Sequence, residues 1–173
     1  LWSLAQGPAN QRLIAAEVDV NGKAKYGITA VIRASANGHT DCLKLLLDAG
    51  ADPSAAGNDG RTAALAACKN PDCLELLIDA RANLDAATND GTTALHIAAY
   101  NGHAACLKLL IDAAPMGSLF DAAAADNVNE VRRLIQGGAI VDEEIRGVTP
   151  LWLAAIFGNE ASLKLLVHAK ANV

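Results

Sequence analysis

Four times the chain repeats a Gly-x-Thr turn: Gly27-Ile28-Thr29, Gly60-Arg61-Thr62, Gly91-Thr92-Thr93 and Gly147-Val148-Thr149. Gly27 to Gly60 is 33 residues, Gly60 to Gly91 is 31, and Gly91 to Gly147 is 56. A period of this size means a stack of small supersecondary units. A unit this short cannot bury its own apolar faces, so neighbours of the same kind must cover them.

The clearest copy, from Gly91 to Ala113, reads as helix, tight turn, helix, and each position has a physical reason. Thr93 and its counterparts precede the first helix, where a hydroxyl accepts from an orphan amide of the first turn. Pro150 stands just inside a helix start, where its missing donor costs nothing. The pairs Ala98-Ala99 and Ala154-Ala155 let neighbouring helices approach closely. Gly38, Gly102 and Gly158 close the first helix, since glycine turns left-handed at little cost. Leu43 to Leu47, Leu74 to Ile78 and Leu163 to Val167 put a broad apolar band on the second helix.

The 56-residue gap is not a whole multiple of the repeat, so a degenerate unit fills it. Its helices are expected near Leu119–Ala123 and Glu130–Ile135. Residues 1–26 read as another weak pair. Six pairs result, spanning 1–26, 27–59, 60–90, 91–115, 116–146 and 147–173. At Ala113-Ala114-Pro115-Met116-Gly117-Ser118 a full hairpin is missing. A continuous stack with that hairpin deleted is the favoured arrangement, and a break between two arrays near 114–118 is the other. The close at Lys170-Ala171-Asn172-Val173 is the opening of a further hairpin, which predicts either a truncated last unit or an array that continues.

Thr93-Ala94-Leu95-His96-Ile97-Ala98-Ala99, then Asn101-Gly102-His103 and a Leu-rich second helix, resemble the ankyrin repeat. The resemblance implies an all-α solenoid of stacked helix-turn-helix pairs joined by β-hairpin-like loops at 52–60, 83–91 and 142–147. It also implies that the imidazole of His96 bonds within and between adjacent repeats. The copies depart from the pattern in places. Ile32, Leu65 and Trp152 stand where His96 does, and the third pair has a shortened turn at Lys69-Asn70-Pro71-Asp72, which predicts lower local stability.

Composition excludes several alternatives. Hydrophobic residues make up 52% of the chain but aromatics only 3%, which suits thin Ala- and Leu-rich helices rather than an aromatic sandwich or barrel. Net charge is −5 and no basic stripe occurs, which argues against a nucleic-acid partner. No apolar run is long enough to span a bilayer. Cys42, Cys73 and Cys106 share one repeat position at the start of the second helix. They are expected, with Cys68, to be small buried thiols without disulfides, fitting a reducing, intracellular and cytoplasm-like compartment. No clustered metal-ligand pair, phosphate loop or nucleophile with a base appears. His39 and His103 read as turn residues, and Asp142-Glu143-Glu144 as a solvated loop. Catalytic, metal and cofactor sites are therefore expected to be absent.

The resemblance places the working surface on the hairpin tips and the exposed side of the first helices. Carried over by position, the partner-binding candidates are Tyr26, Arg61, Lys69, Tyr100, Arg146, Val148, Ile156 and Phe157. The expectation is a non-catalytic module presenting a concave groove to another protein, with no small-molecule substrate. The apolar end around Phe157 is the expected contact. A structural spacer in a large assembly, or a targeting segment of a larger multidomain enzyme, are the alternatives.

Overall fold

The computed structural model describes residues 19–113 and 118–169. Most of the first pair, the 114–117 link and the closing 170–173 segment lie outside these. Among the described residues ten α-helices follow a short 3-10 turn at Lys25–Gly27. They pair as α1 (Ala30–Asn37) with α2 (Thr40–Asp48), α3 (Ala63–Ala66) with α4 (Pro71–Asp79), and α5 (Ala94–Tyr100) with α6 (Ala104–Asp112). Two further pairs are α7 (Leu119–Ala124) with α8 (Val128–Gln136), and α9 (Pro150–Phe157) with α10 (Glu160–His168). Among the described residues no strand forms. The expected hairpins are loops, and two of the three carry an isolated antiparallel bridge, Ala87 with Thr93 and Ile145 with Val148.

Helix starts follow the sequence signals. Thr29, Thr93 and Thr149 accept from Ile32, His96 and Trp152 amides at 3.3–3.5 Å, and Ser118 does the same for Asp121. Gly38 and Gly158 close α1 and α9 in the left-handed conformation, at φ 73° and 69°. The third pair departs from this regularity. Thr62 makes no cap bond, its hydroxyl is buried without a partner, and α3 is only four residues long. Asn70 compensates from the next helix: its amide donates to the carbonyls of Ser35 and Ala36 in the preceding pair.

First helices α1, α3 and α5 form one row, and second helices α2, α4 and α6 form the other. Alanines set the spacing. Ala63, Ala64, Ala94, Ala98 and Ala154 are fully buried, so backbones meet where larger residues would hold them apart. Leucines fill the layer between rows, with Leu43, Leu74, Leu77, Leu95 and Leu110 sealed from solvent. One buried cluster runs from Val31 through Leu110 and takes in Phe120, Val148 and Leu153 from beyond the link. A second cluster joins α7 and α8 to α9 and α10 through Leu119, Val131, Ala154 and Leu166.

Successive hairpins are tied by backbone. The Asn58 amide donates to Tyr26 and the Asn89 amide to Asp59, each at 2.9 Å. Gly60 is required at this step: its φ is +83°, and a Cβ there would meet the Ala87 carbonyl at 2.8 Å.

Candidate functional site

Only four residues of sequence, 114–117, separate Ala113 from Ser118, too few for a hairpin like those at 52–60 and 83–91, and the contacts beyond this link converge on one place. The loop before α9 lies against the loop and helix of the fourth pair, two units back in sequence. The Thr93 hydroxyl donates to the Arg146 carbonyl at 2.7 Å. Gly147, at φ +78°, lies so close that a Cβ would meet the His96 ring at 2.8 Å. The His96 ring sits edge-on to Trp152, with centroids 5.6 Å apart, while its Nδ1 pairs with the Thr93 hydroxyl at 3.0 Å.

Arg146 fills the remaining space. Its backbone is left-handed at φ 53° and its side chain is 7% exposed. Nη1 and Nη2 donate to the Leu110 and Ala113 carbonyls at the end of α6, and Nε lies 2.9 Å from an Asp85 carboxylate oxygen. A guanidinium suits this position because the last carbonyls of a helix lack partners and carry partial negative charge.

Beside this contact a cleft of about 560 Å³ opens between α5 and α9. His96, Ile97, Tyr100, Trp152 and Ile156 form its walls, and Asp90, Gly91, Thr92 and Asn101 its rim. Tyr100 is 92% exposed and Ile156 is 41% exposed. Asp90 accepts from the Thr88 hydroxyl and the Thr92 amide, which holds its carboxyl below the ordinary carboxylate range.

Ankyrin-repeat profiles match three stretches of the chain: a three-copy profile over residues 51–118, a many-copy profile over 31–70, and a single repeat over 146–173. Together with the stacked pairs, they decide the family. The chain is an ankyrin-repeat protein. Its fold is similar to the human ASB11 ankyrin repeat domain, with a TM-score of 0.54 and 27% identity. That match covers 95% of this chain and 79% of the other. Two curated relatives are the E3 ubiquitin-protein ligase XBAT33 of Arabidopsis thaliana, 33% identical, and the probable E3 ubiquitin-protein ligase XBOS33 of Oryza sativa subsp. japonica, 32% identical. Each match takes in 81% of this chain, but only 29% and 31% of the relatives. The ankyrin array thus spans under a third of their length.

The eight positions carried over from the family divide in this array. Tyr26, Arg61, Lys69, Tyr100, Ile156 and Phe157 are exposed. Tyr26 lies under the Lys25 ammonium, 4.9 Å from its ring centre, and Arg61 leans toward Asp59 at 3.8 Å. Arg146 and Val148 are not on the groove. Val148 is 2% exposed within the core, and the Arg146 guanidinium is spent on α6. Both turn inward because no fifth hairpin separates them from the fourth pair. Phe157 is 42% exposed but does not line the cleft; the aromatic residues there are Tyr100, Trp152 and His96.

His96 also differs from expectation. It is half-buried, and its bridge to another pair is a ring contact that skips the fifth pair altogether. Trp152 was the signal for this: it occupies the position His96 holds in its own repeat. Cys42 is exposed, whereas Cys68, Cys73 and Cys106 are buried, and no disulfide joins them. His39 and His103 stand at the helix N-caps without a side-chain cap bond. Among the described residues no helix is long and apolar enough to cross a membrane.

Proposed function

We propose that this array is the partner-recognition segment of a longer protein, and that it meets another protein along its hairpin tips and first helices. Tyr100 carries the reading. A ring left 92% in water beside a cleft has no packing role within the chain, and aromatic anchors beside pockets are where protein interfaces concentrate their affinity. The stacked pairs present this face as a preformed surface, so little ordering entropy is lost on binding. The relatives named as ubiquitin ligases, each about three times as long, support a targeting role within a multidomain enzyme, with catalysis elsewhere in such a protein. The unpaired thiols fit a reducing compartment.

A photo-reactive phenylalanine analogue placed separately at Tyr100, Arg61 and Arg132 tests the surface in an extract of the source organism. Arg132 is exposed on α8, a second helix. One polypeptide captured from both Tyr100 and Arg61 is the expected result. Capture from Arg132 alone would instead favour a spacer held by its convex side.

A further inference from the structure

We propose that the cleft between α5 and α9 takes an arginine side chain of the partner, its stem against Ile97 and Ile156 and its guanidinium between the aromatic rings and the Asp90 carboxylate. This rests on the reading that the groove face meets a protein.

The argument is one of charge and shape. Among the described residues Asp90 is the single acidic one lining the cleft, and neither lysine nor arginine lines it. The Thr88 hydroxyl and the Thr92 amide both donate to Oδ1 of Asp90, which fixes the carboxylate at the rim. Because those bonds hold its proton affinity down, the carboxylate is charged at neutral pH. Asn101 spends its amide nitrogen on the Ile97 carbonyl at 2.8 Å, so its side-chain oxygen is the atom left to accept. The one imidazole in the wall, His96, is held by Thr93 and Trp152.

An acceptor-rich rim over aromatic walls selects a cation with an apolar stem. A leucine or phenylalanine would strip water from the Asp90 and Asn101 oxygens and return no hydrogen bond. An anion would be repelled by the Asp90 carboxylate and would find no lysine or arginine among the lining residues to offset it. Arginine is preferred to lysine because a planar guanidinium stacks on an aromatic face while its fork still reaches a carboxylate. The cleft exists because the absent fifth hairpin brings Trp152 and Ile156 alongside Tyr100 and Ile97.

The test uses the full chain carrying Trp2→Phe, so that Trp152 is the remaining tryptophan. Its fluorescence is titrated with acetyl-Gly-Ser-X-Ser-Gly-amide peptides in which X is arginine, lysine, citrulline or leucine. The arginine peptide is expected to shift Trp152 emission saturably and to bind about tenfold tighter than citrulline, its uncharged near-isostere. Lysine should fall between them. Asp90→Asn should narrow the difference between arginine and citrulline, and added salt should weaken arginine and lysine binding while leaving citrulline and leucine unchanged. The salt arm stands even if Asp90→Asn disturbs its turn. Equal binding of citrulline or leucine, or no saturable change with any peptide, overturns the proposal. Capture from Tyr100 by a partner that lacks arginine in the cross-linked segment would sink this inference and leave the interaction surface standing. Failure to capture at Tyr100 and Arg61 would remove the surface itself.

Discussion

The step from the second pair to the fourth and the step from the fourth to the sixth solve the same problem with different parts. In the first, hairpin meets hairpin through backbone bonds, Tyr26 with Asn58 and Asp59 with Asn89, repeated at each unit. In the second there is no fifth hairpin to bond. The gap is closed by one arginine, one histidine–tryptophan contact and the Thr93 hydroxyl. Backbone ties survive most substitutions, because every residue except proline supplies a donor and an acceptor. Side-chain ties do not. The regular region should therefore be tolerant of mutation and the junction brittle, although both belong to one array whose stability is a sum of nearest-neighbour terms.

Arg146→Ala is the strongest test of that contrast. It removes two charge-assisted bonds to the end of α6 and the pairing with Asp85. A loss of about 2–4 kcal/mol is expected from such bonds, with Asp85 itself left in water rather than buried. Urea unfolding followed by circular dichroism should broaden or split into two transitions as the halves uncouple. Arg146→Lys should recover only part of the loss, since an ammonium cannot span both carbonyls and the carboxylate in the guanidinium's planar fork. A single transition at the original midpoint would show that the junction is held by the buried cluster around Phe120 instead.

His96→Ala sharpens the same comparison at smaller cost. The imidazole completes a capping box with Thr93 and stacks edge-on against Trp152. Losing a cap is worth about 1 kcal/mol and an aromatic contact about 0.5–1.5 kcal/mol. Coupling should be with Trp152→Leu rather than with residues of the third pair, and a double-mutant cycle measures it. Additive effects of the two substitutions would mean the ring contact contributes nothing.

How much of this was legible in the chain follows from where regularity holds. Gly-x-Thr spacing and leucine bands located the helices of the second, third, fourth and sixth pairs, because capping and burial act within one pair and its immediate neighbour. The missing hairpin was also legible, as a gap of 56 residues. What that absence does was not. Family positions for Arg146 and Val148 assume a neighbouring hairpin that shields them from the fourth pair, and without it they fold inward. The cleft was hidden for the same reason: its walls come from Ile97 and Trp152, which no local pattern brings together. Cys42 shares a repeat position with Cys73 and Cys106, yet only the latter two are buried. Thr40 of the preceding pair lies over Cys73, 3.6 Å from its sulfur.

Within the regular region the third pair is the irregular member, and its threonine offers a change of opposite sign. Thr149 caps α9, so Thr149→Val should cost about 1 kcal/mol. Thr62 caps nothing and buries an unpartnered hydroxyl. Thr62→Val keeps the shape and removes that oxygen, so it should be neutral or raise stability by up to about 1 kcal/mol. Melting temperatures of the two variants should move apart. Equal losses would mean that Thr62 forms its cap in solution and that α3 is longer than four residues.

One further effect loosens the regular region and spares the junction, and at neutral pH it is the smallest. Cys68 sits between the third and fourth pairs, where its thiol contacts the carbonyls of Ala64 at 3.4 Å and Ala94 at 3.3 Å. Burial, with the nearby Cys106 thiol next in weight, pushes its pKa from an ordinary 9.0 up to about 12. The thiol therefore stays protonated in the fold at pH values where the unfolded chain has already lost that proton. Its contribution is fully present below about pH 9 and is lost as pH climbs toward about 12, because the folded state binds more protons than the unfolded one throughout that window. Stability should fall with rising pH there. Cys68→Ala removes the titrating group while keeping a small apolar residue, so its urea midpoint should decline less steeply from about pH 8 to about pH 11 than that of the parent chain. The Arg146→Ala variant keeps Cys68, so it should keep the parent's slope from a lower starting point. Identical slopes for Cys68→Ala and the parent would mean that water reaches the Cys68 sulfur and that the step between the third and fourth pairs is looser than its bonds suggest.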